Sequence, residues 1–310
     1  MSKTILVTGG AGFIGSHLID RLIENDKIIC VDNLSTGNKE NVKLLMKNPD
    51  FTLIEHDVSK PLKIDRKIDQ IYHLASPASP VDYQKLPIET MMANSFGARN
   101  MLELAKNKNS RILLASTSEV YGDPEKHPQP EDYWGKVNPI GIRSCYDESK
   151  RFAEALAMSY YRVHNLDVRI ARIFNTYGPR MRANDGRAIP NFVTQTIENK
   201  SVTVYGTGKQ TRSFCYISDL VNGLIKLMNS KFSGEPFNLG NPSEMKIIDV
   251  AKMVKKATKS KSDIVFKPLP ADDPARRKPN IAKAKKKLKW EPKINFEEGL
   301  ERTIKWFRSL

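Results

Sequence analysis

Cysteine and histidine are scarce. The 310 residues hold three cysteines, Cys30, Cys145 and Cys215, scattered and without a C-x-x-C pair. The five histidines, His17, His56, His73, His127 and His164, show no ligand-like spacing to acids or thiols. A dispersed, odd set of thiols argues against a disulfide framework, and neither residue type makes a zinc signature, so no metal is expected. The histidines read as packing or surface residues. There is no apolar run of ~18 residues, and the first apolar strand already begins at Thr4, so neither a membrane span nor a signal peptide is expected. The expectation is a soluble, cytoplasmic protein. No internal repeat is visible either.

Acidic residues are also in deficit, 35 against 50 Lys and Arg, for a net charge of +15. Much of the excess lies in residues 252–261 and 282–289, where lysines recur with few aromatics between them. Nucleic-acid surfaces use such patches with aromatic interleaving. These stretches read instead as solvated helix faces, so nucleic acid is not expected as a partner. A positive field would still draw in an acidic small substrate. Hydrophobic content of 40% and charged content of 27% are globular values, and the length favours about two domains.

Against these absences stands Thr4 to Gly15, TILVTGGAGFIG. Ile5, Leu6 and Val7 form a buried strand, Gly10, Gly12 and Gly15 give G-x-G-x-x-G, and a helical pattern starts at Phe13. The glycines permit a tight turn, close approach of backbone to a pyrophosphate, and close packing of helix on strand. The helix directs free N–H groups at the phosphates. A second strand at 28–31 ends in Asp32, where a carboxylate would accept bonds from the adenosine ribose and favour NAD over NADP. Such a strand–turn–helix marks a dinucleotide site.

The chain then alternates. The polar turn from Asn33 through Thr36 and Gly37 suits an adenosine cover. A strand at 51–54 leads to Asp57 and Val58, where Asp57 fits either an adenine edge or a strand-end cap. A strand at 70–74 runs through Leu74 into a Ser76-containing, proline-rich loop. A single long amphipathic helix is expected over 88–106, with Met91, Met92, Phe96, Met101, Leu102 and Leu104 as its apolar positions, serving the core or a subunit contact. A strand over 111–115, a helix over 146–164 and a strand over 167–173 complete the pattern. Strands alternating with helices predict an α/β, doubly wound parallel sheet of Rossmann type. Residues 1–175 form the nucleotide-binding domain, with about 213–240 returning to it. Residues 176–310 form a smaller, partly interleaved substrate lobe. The polar stretch 122–143 is long for a connection, which marks it as functional.

Two constellations carry chemistry. Tyr146 and Lys150 lie one helical turn apart, on one face. A phenol with a pKa of ~10 needs help to act as a base near neutrality, and an adjacent ammonium together with a positively charged nicotinamide can favour the phenolate. Ser116 to Gly122 follows the fifth strand and brings Thr117, Ser118 and Glu119 to the sheet's C-terminal edge. Thr117 can hold a sugar hydroxyl. Glu119 fits a proton carrier or, more plainly, a surface acid.

TGGAGFIG, YDESK and the Ser-Thr loop resemble the extended short-chain dehydrogenase/reductase family, whose members act on nucleotide sugars. RIFNTYGPRM, NDGR, QTRSFCYISDLVNGL, FNLGNP and DDPARRKP extend the resemblance over nearly the whole chain. It narrows to the branch that decarboxylates UDP-glucuronate, since the related 4,6-dehydratases carry Asp where Ser118 stands. Met92 and Asn280 depart from the pattern, at positions where relatives carry Lys and Asp. The resemblance implies NAD held by Gly9, Gly12, Phe13, Ile14, Asp32, Asn33, Thr36, Gly37, Asp57, Val58, Leu74, Ser76, Tyr146 and Lys150. It implies catalysis by Tyr146, Lys150, Thr117 and Glu119, with Glu119 returning a proton to C5, directly or through water. A UDP-sugar is implied at Ser118, Asn175, Tyr205, Arg212 and Arg277, with Arg276 not separable from its neighbour. It also implies a homodimer formed through the helices at 88–106 and 146–164.

Overall fold

The computed structural model describes residues 2–310. The first half runs β1 (Thr4–Thr8), α1 (Phe13–Leu22), β2 (Lys27–Asp32), β3 (Phe51–Glu55), β4 (Gln70–His73), α2 (Pro80–Lys85), α3 (Pro87–Met92), α4 (Ala98–Lys108), β5 (Arg111–Thr117), α5 (Ser144–His164) and β6 (Val168–Ile173). The second half is more broken. It runs β7 (Thr176–Tyr177), α6 (Ala188–Ile197), β8 (Val202–Tyr205), β9 (Thr211–Ser213), β10 (Cys215–Tyr216), α7 (Ile217–Met228) and β11 (Pro236–Leu239). Then come β12 (Glu244–Lys246), α8 (Ile247–Thr258), β13 (Ile264–Lys267), β14 (Arg276–Arg277), α9 (Ala282–Leu288) and α10 (Phe296–Phe307).

Seven strands form one sheet in the order β11-β6-β5-β4-β1-β2-β3, and every pairing in it is parallel. Parallel sheets need apolar cover on both faces. One face packs Ile5, Val7, Leu113 and Phe237 with α1 and α7, and the other packs Leu6, Ile71, Ile112 and Ile170 with α4 and α5. The strand order reverses between β1 and β4, which opens a crevice at their C-terminal ends. The dinucleotide turn and the Leu74–Ser76 loop both leave the sheet there. β11 returns from the second half to pair with β6, with Phe237 opposite Ala171.

The expected helix over 88–106 is interrupted. α3 passes into a π turn at Ala93–Gly97 before α4 begins. Two close contacts account for the wider turn. Asn94 is buried and donates to Ser149 Oγ at 3.0 Å, and Gly97 lies so close to Val58 that a Cβ would meet Cγ2 at 2.9 Å. The apolar positions divide accordingly. Met101, Leu102 and Leu104 are buried, whereas Met91, Met92 and Phe96 are exposed at 46%, 41% and 50%. Those three therefore leave the core role to the residues of α4. The lysine-rich stretches form α8 and α9, and no helix among the described residues is long and apolar enough to cross a membrane. No group of side chains among them could hold a metal ion.

Candidate active site

One large cavity of about 1380 Å³ occupies the crevice. Single drug-sized ligands fill pockets of ~300–1,000 Å³, so this one has room for two ligands side by side. At the end nearest the β1–β2 edge, Gly9 turns with φ +69°, and a Cβ on Gly15 would lie 2.1 Å from the Gly9 carbonyl oxygen. Gly12 caps the start of α1 and has no side chain to occupy the helix's free N–H groups. Asp32 closes β2, and its two oxygens accept from Ala11 N and Leu34 N, each at 2.9 Å. Burial raises this carboxyl and those two bonds oppose the rise. Each oxygen keeps a lone pair for a ribose hydroxyl. Open N–H groups, a cradle that a methyl would fill and an acid at the strand end fit a dinucleotide of the NAD type. Gly15→Ala should push the glycine turn apart and weaken NAD binding by about tenfold or more, read by calorimetry. Unchanged affinity would remove the turn from the binding site.

The other expected NAD contacts, Phe13, Ile14, Asn33, Thr36, Gly37, Asp57, Val58, Leu74 and Ser76, all line the same cavity. Asp57 also accepts from Ser59 N at 2.9 Å, so it caps its strand end as well as facing the cavity. His73, at the end of β4, is an internal histidine bonded to Thr8 Oγ1 at 2.8 Å, away from any metal chemistry.

Farther along, β5 and α5 bring Thr117, Tyr146 and Lys150 to one wall. Lys150 Nζ donates to the Ala115 carbonyl at 2.9 Å and lies 5.8 Å from the centre of the Tyr146 ring. The shared helical face is as expected, but the electrostatics differ. Burial pushes the Tyr146 phenol up to about 12, against a hydrogen bond from Thr117 that lowers it. Burial also brings Lys150 down to about 7, with Glu154 opposing. A buried ammonium that gives up its proton this readily is a weak source of positive charge. Lys150 alone therefore does not make Tyr146 a base in the ligand-free protein.

Glu119 departs further from expectation. Its Oε2 accepts from Arg143 Nη2 at 2.5 Å and from Arg277 Nη2 at 3.2 Å, and Ser118 Oγ donates to Oε1 at 3.5 Å. Burial alone would raise this carboxyl. Arg277, Arg143 and Arg212 outweigh that and hold it at about 2. The three guanidiniums favour the anion at Glu119, which disfavours direct donation of its own proton near neutrality. Asp147 shows the opposite behaviour: burial and then repulsion from Glu119 push it up to about 7.

Asn175, Tyr205 and Arg212 line the far wall, and Arg212 Nη2 pairs with Asp273 Oδ2 at 2.8 Å. Arg277 does not join them. It is 1% exposed, pairs with Glu119, is not among the residues lining the cavity, and keeps Nε and Nη1 without partners. Burial, with repulsion from Arg212 and Arg143, lowers its pKa from a value far above neutrality. Arg276 is exposed and also off the wall. Neither of these two arginines, one of them expected at the diphosphate, is therefore among the residues lining the cavity. Among the cavity residues that the sequence reading did not single out are Tyr83, Arg143 and Arg187. Arg143 sits just ahead of α5 in the long polar stretch, and Tyr83 sits on α2, whose Ser79-Pro80 start is a legible helix signal.

A doubly wound sheet, a glycine turn ending against Asp32, and a Tyr-Lys pair beside a Ser-Thr loop define a nucleotide-sugar short-chain dehydrogenase/reductase. Residues 6–303 match the family described as GDP-mannose 4,6 dehydratase, and the chain belongs to that family. Among curated relatives, it is 58% identical over 306 residues to UDP-glucuronic acid decarboxylase 1 of Arabidopsis thaliana, spanning 98% of this chain and 70% of that one. A dTDP-glucose 4,6-dehydratase from Streptomyces venezuelae, solved with NAD bound, superposes with a TM-score of 0.92 at 26% identity, covering 99% of this chain and 97% of that one. A UDP-glucose 4-epimerase of Thermotoga maritima, solved with UDP-glucose, gives 0.90 at 30% identity, covering 99% of each chain.

Proposed function

We infer that the chain converts UDP-glucuronate to UDP-xylose and carbon dioxide, with NAD regenerated within each turnover. The observation that carries this reading is an ionised Glu119 clamped by Arg143 and Arg277 beside the Thr117–Tyr146 hydroxyls, in a cavity with room for both dinucleotide and nucleotide sugar. Similarity to the plant decarboxylase supports it.

NAD, when bound, supplies a reversible two-electron acceptor for the hydrogen at sugar C4, and its positively charged ring favours the Tyr146 phenolate. Tyr146 takes the proton of the C4 hydroxyl, which Thr117 orients. C4 adjoins the carbon that bears the carboxylate, so the C4 ketone makes the sugar a β-keto acid. Carbon dioxide leaves with its bonding electrons delocalised onto the C4 oxygen, and the protonated Tyr146 donates to that enolate. The reaction consumes one solvent proton, which enters at C5. Glu119, already ionised, orients the water that delivers it. Lys150 holds the Tyr146 face through its bond to Ala115. Asn175 and Arg212 face the diphosphate, and Tyr205 offers a ring for the uracil.

A panel of UDP-glucuronate, UDP-glucose and dTDP-glucose tests the reading. Turnover of UDP-glucuronate alone is expected, and turnover of either neutral sugar in its place would move the assignment to an epimerase or a dehydratase.

The chain is also proposed to act as a homodimer. Ile88, Met91 and Met92 on α3, Phe96 in the π turn and Phe152 on α5 are all exposed, and the two helices pack against each other. An apolar face of this kind suits an isologous contact with a second copy. Phe96→Glu combined with Phe152→Glu should give a monomer by sedimentation. A dimer that survives both changes would place the interface elsewhere.

A further inference from the structure

Tyr83 is far from the Tyr-Lys pair in sequence and touches it in space. It is 1% exposed, and its ring stacks on Tyr146 with centres 5.0 Å apart and planes within 6° of parallel. Its backbone is pinned to the same helix, since Cys145 Sγ donates to the Tyr83 carbonyl at 3.5 Å. The Arg143 guanidinium lies 5.9 Å from the Tyr83 ring centre. α2 itself is held by Pro80 in its first turn and by Ser79, whose hydroxyl accepts from Asp82 N at 3.2 Å. The Tyr83 hydroxyl is buried and has no hydrogen-bond partner among the described residues. The flat ring, rather than the hydroxyl, makes the contact with Tyr146.

We propose that Tyr83 is a positioning residue for Tyr146, its ring fixing the plane of the catalytic phenol and keeping water from one of its faces. A tyrosine's second side-chain torsion is broad and two-fold, so the backbone alone does not set the ring plane. Tyr146 also lies in the first turn of α5, where the helix gives it few neighbours of its own. Proton transfer needs the phenol oxygen within hydrogen-bond reach of the sugar hydroxyl, and a displacement of ~1 Å can cost on the order of a hundredfold in rate. Burial is the leading cause of the raised Tyr146 pKa, and the Tyr83 ring covers one face of that phenol.

The assay rests on the decarboxylase reading, but the contact does not. Tyr83→Phe and Tyr83→Leu are compared with the unaltered protein in kcat, KM and the pH profile for UDP-glucuronate. Fluorotyrosine at position 146, followed by fluorine NMR without substrate, reads the ring directly. Tyr83→Phe should hold kcat within about twofold. Tyr83→Leu should lose about tenfold or more in kcat with KM nearly unchanged, and its rising limb of kcat against pH should move to lower pH. The fluorine resonance and its titration should move in Tyr83→Leu alone. Three results overturn the proposal: Tyr83→Phe as slow as Tyr83→Leu, an effect confined to KM, or a fluorine resonance unmoved by Leu. If the unaltered protein ignores UDP-glucuronate, the decarboxylase reading fails while the resonance still decides the role of Tyr83. Tyr83→Met replaces Tyr83→Leu if the latter folds poorly.

Discussion

Tyr146→Phe should lower kcat by about a thousandfold while leaving the affinity for UDP within about twofold. In the proposed mechanism the phenol has two tasks in sequence, accepting the C4 proton and then donating to the enolate oxygen, and phenylalanine can perform neither. It keeps the ring, so the stack on Tyr83 and the burial of the α5 start persist, and folding should be unaffected. The loss should therefore appear in turnover and not in binding. The electrostatics add a condition. With burial pushing the phenol up to about 12 in the ligand-free protein, the proposed mechanism draws on positive charge brought by the bound dinucleotide to ionise it near neutrality. A Tyr146→Phe variant retaining a tenth of the normal rate would assign the proton transfers to another group.

The second large effect belongs to Glu119. Its removal in Glu119→Ala leaves Arg143 and Arg277 buried without the anion they share. Breaking a buried pair in this way costs about 3–5 kcal/mol, so the melting temperature should fall by roughly 5–10 °C. Turnover should fall about a hundredfold, because in the proposed mechanism the water that protonates C5 loses its anchor. Glu119→Gln keeps the shape and one acceptor, and should recover part of the stability but little of the rate. The pH dependence separates the two roles. A carboxyl held at about 2, below its ordinary 4.5, contributes stability fully above that ordinary value and loses it as the pH falls toward 2. The Gln variant should lack this part of the acid destabilisation. A normal rate in Glu119→Ala would take the residue out of the mechanism.

The half of the site that is local in sequence is legible there. β1, the glycine turn, α1 and Asp32 lie within a few dozen residues, and each follows from apolar runs, turn chemistry and helix periodicity. The Tyr146–Lys150 face follows from one helical turn. What escapes is set by partners far along the chain. Glu119 reads as a proton carrier until Arg277, 158 residues later, is seen bonded to it. Arg277 reads as a phosphate ligand, and its pairing with Glu119 is visible only in the fold. The π turn before α4 is equally hidden, since the apolar pattern runs through it unbroken and only Asn94 and Gly97, through Ser149 and Val58, require it. The electrostatics of the Tyr146–Lys150 pair are hidden as well, because burial acts on both members and sequence carries no direct measure of burial.

The most direct test of the account is to incubate the purified protein with UDP-glucuronate and NAD, and follow carbon dioxide, NADH and the mass of the nucleotide sugar together. One carbon dioxide per UDP-pentose formed, with no net NADH, is the predicted result. Carbon dioxide accompanied by equal NADH and a 4-keto sugar would contradict the return of hydride. No carbon dioxide at all would contradict the decarboxylase itself.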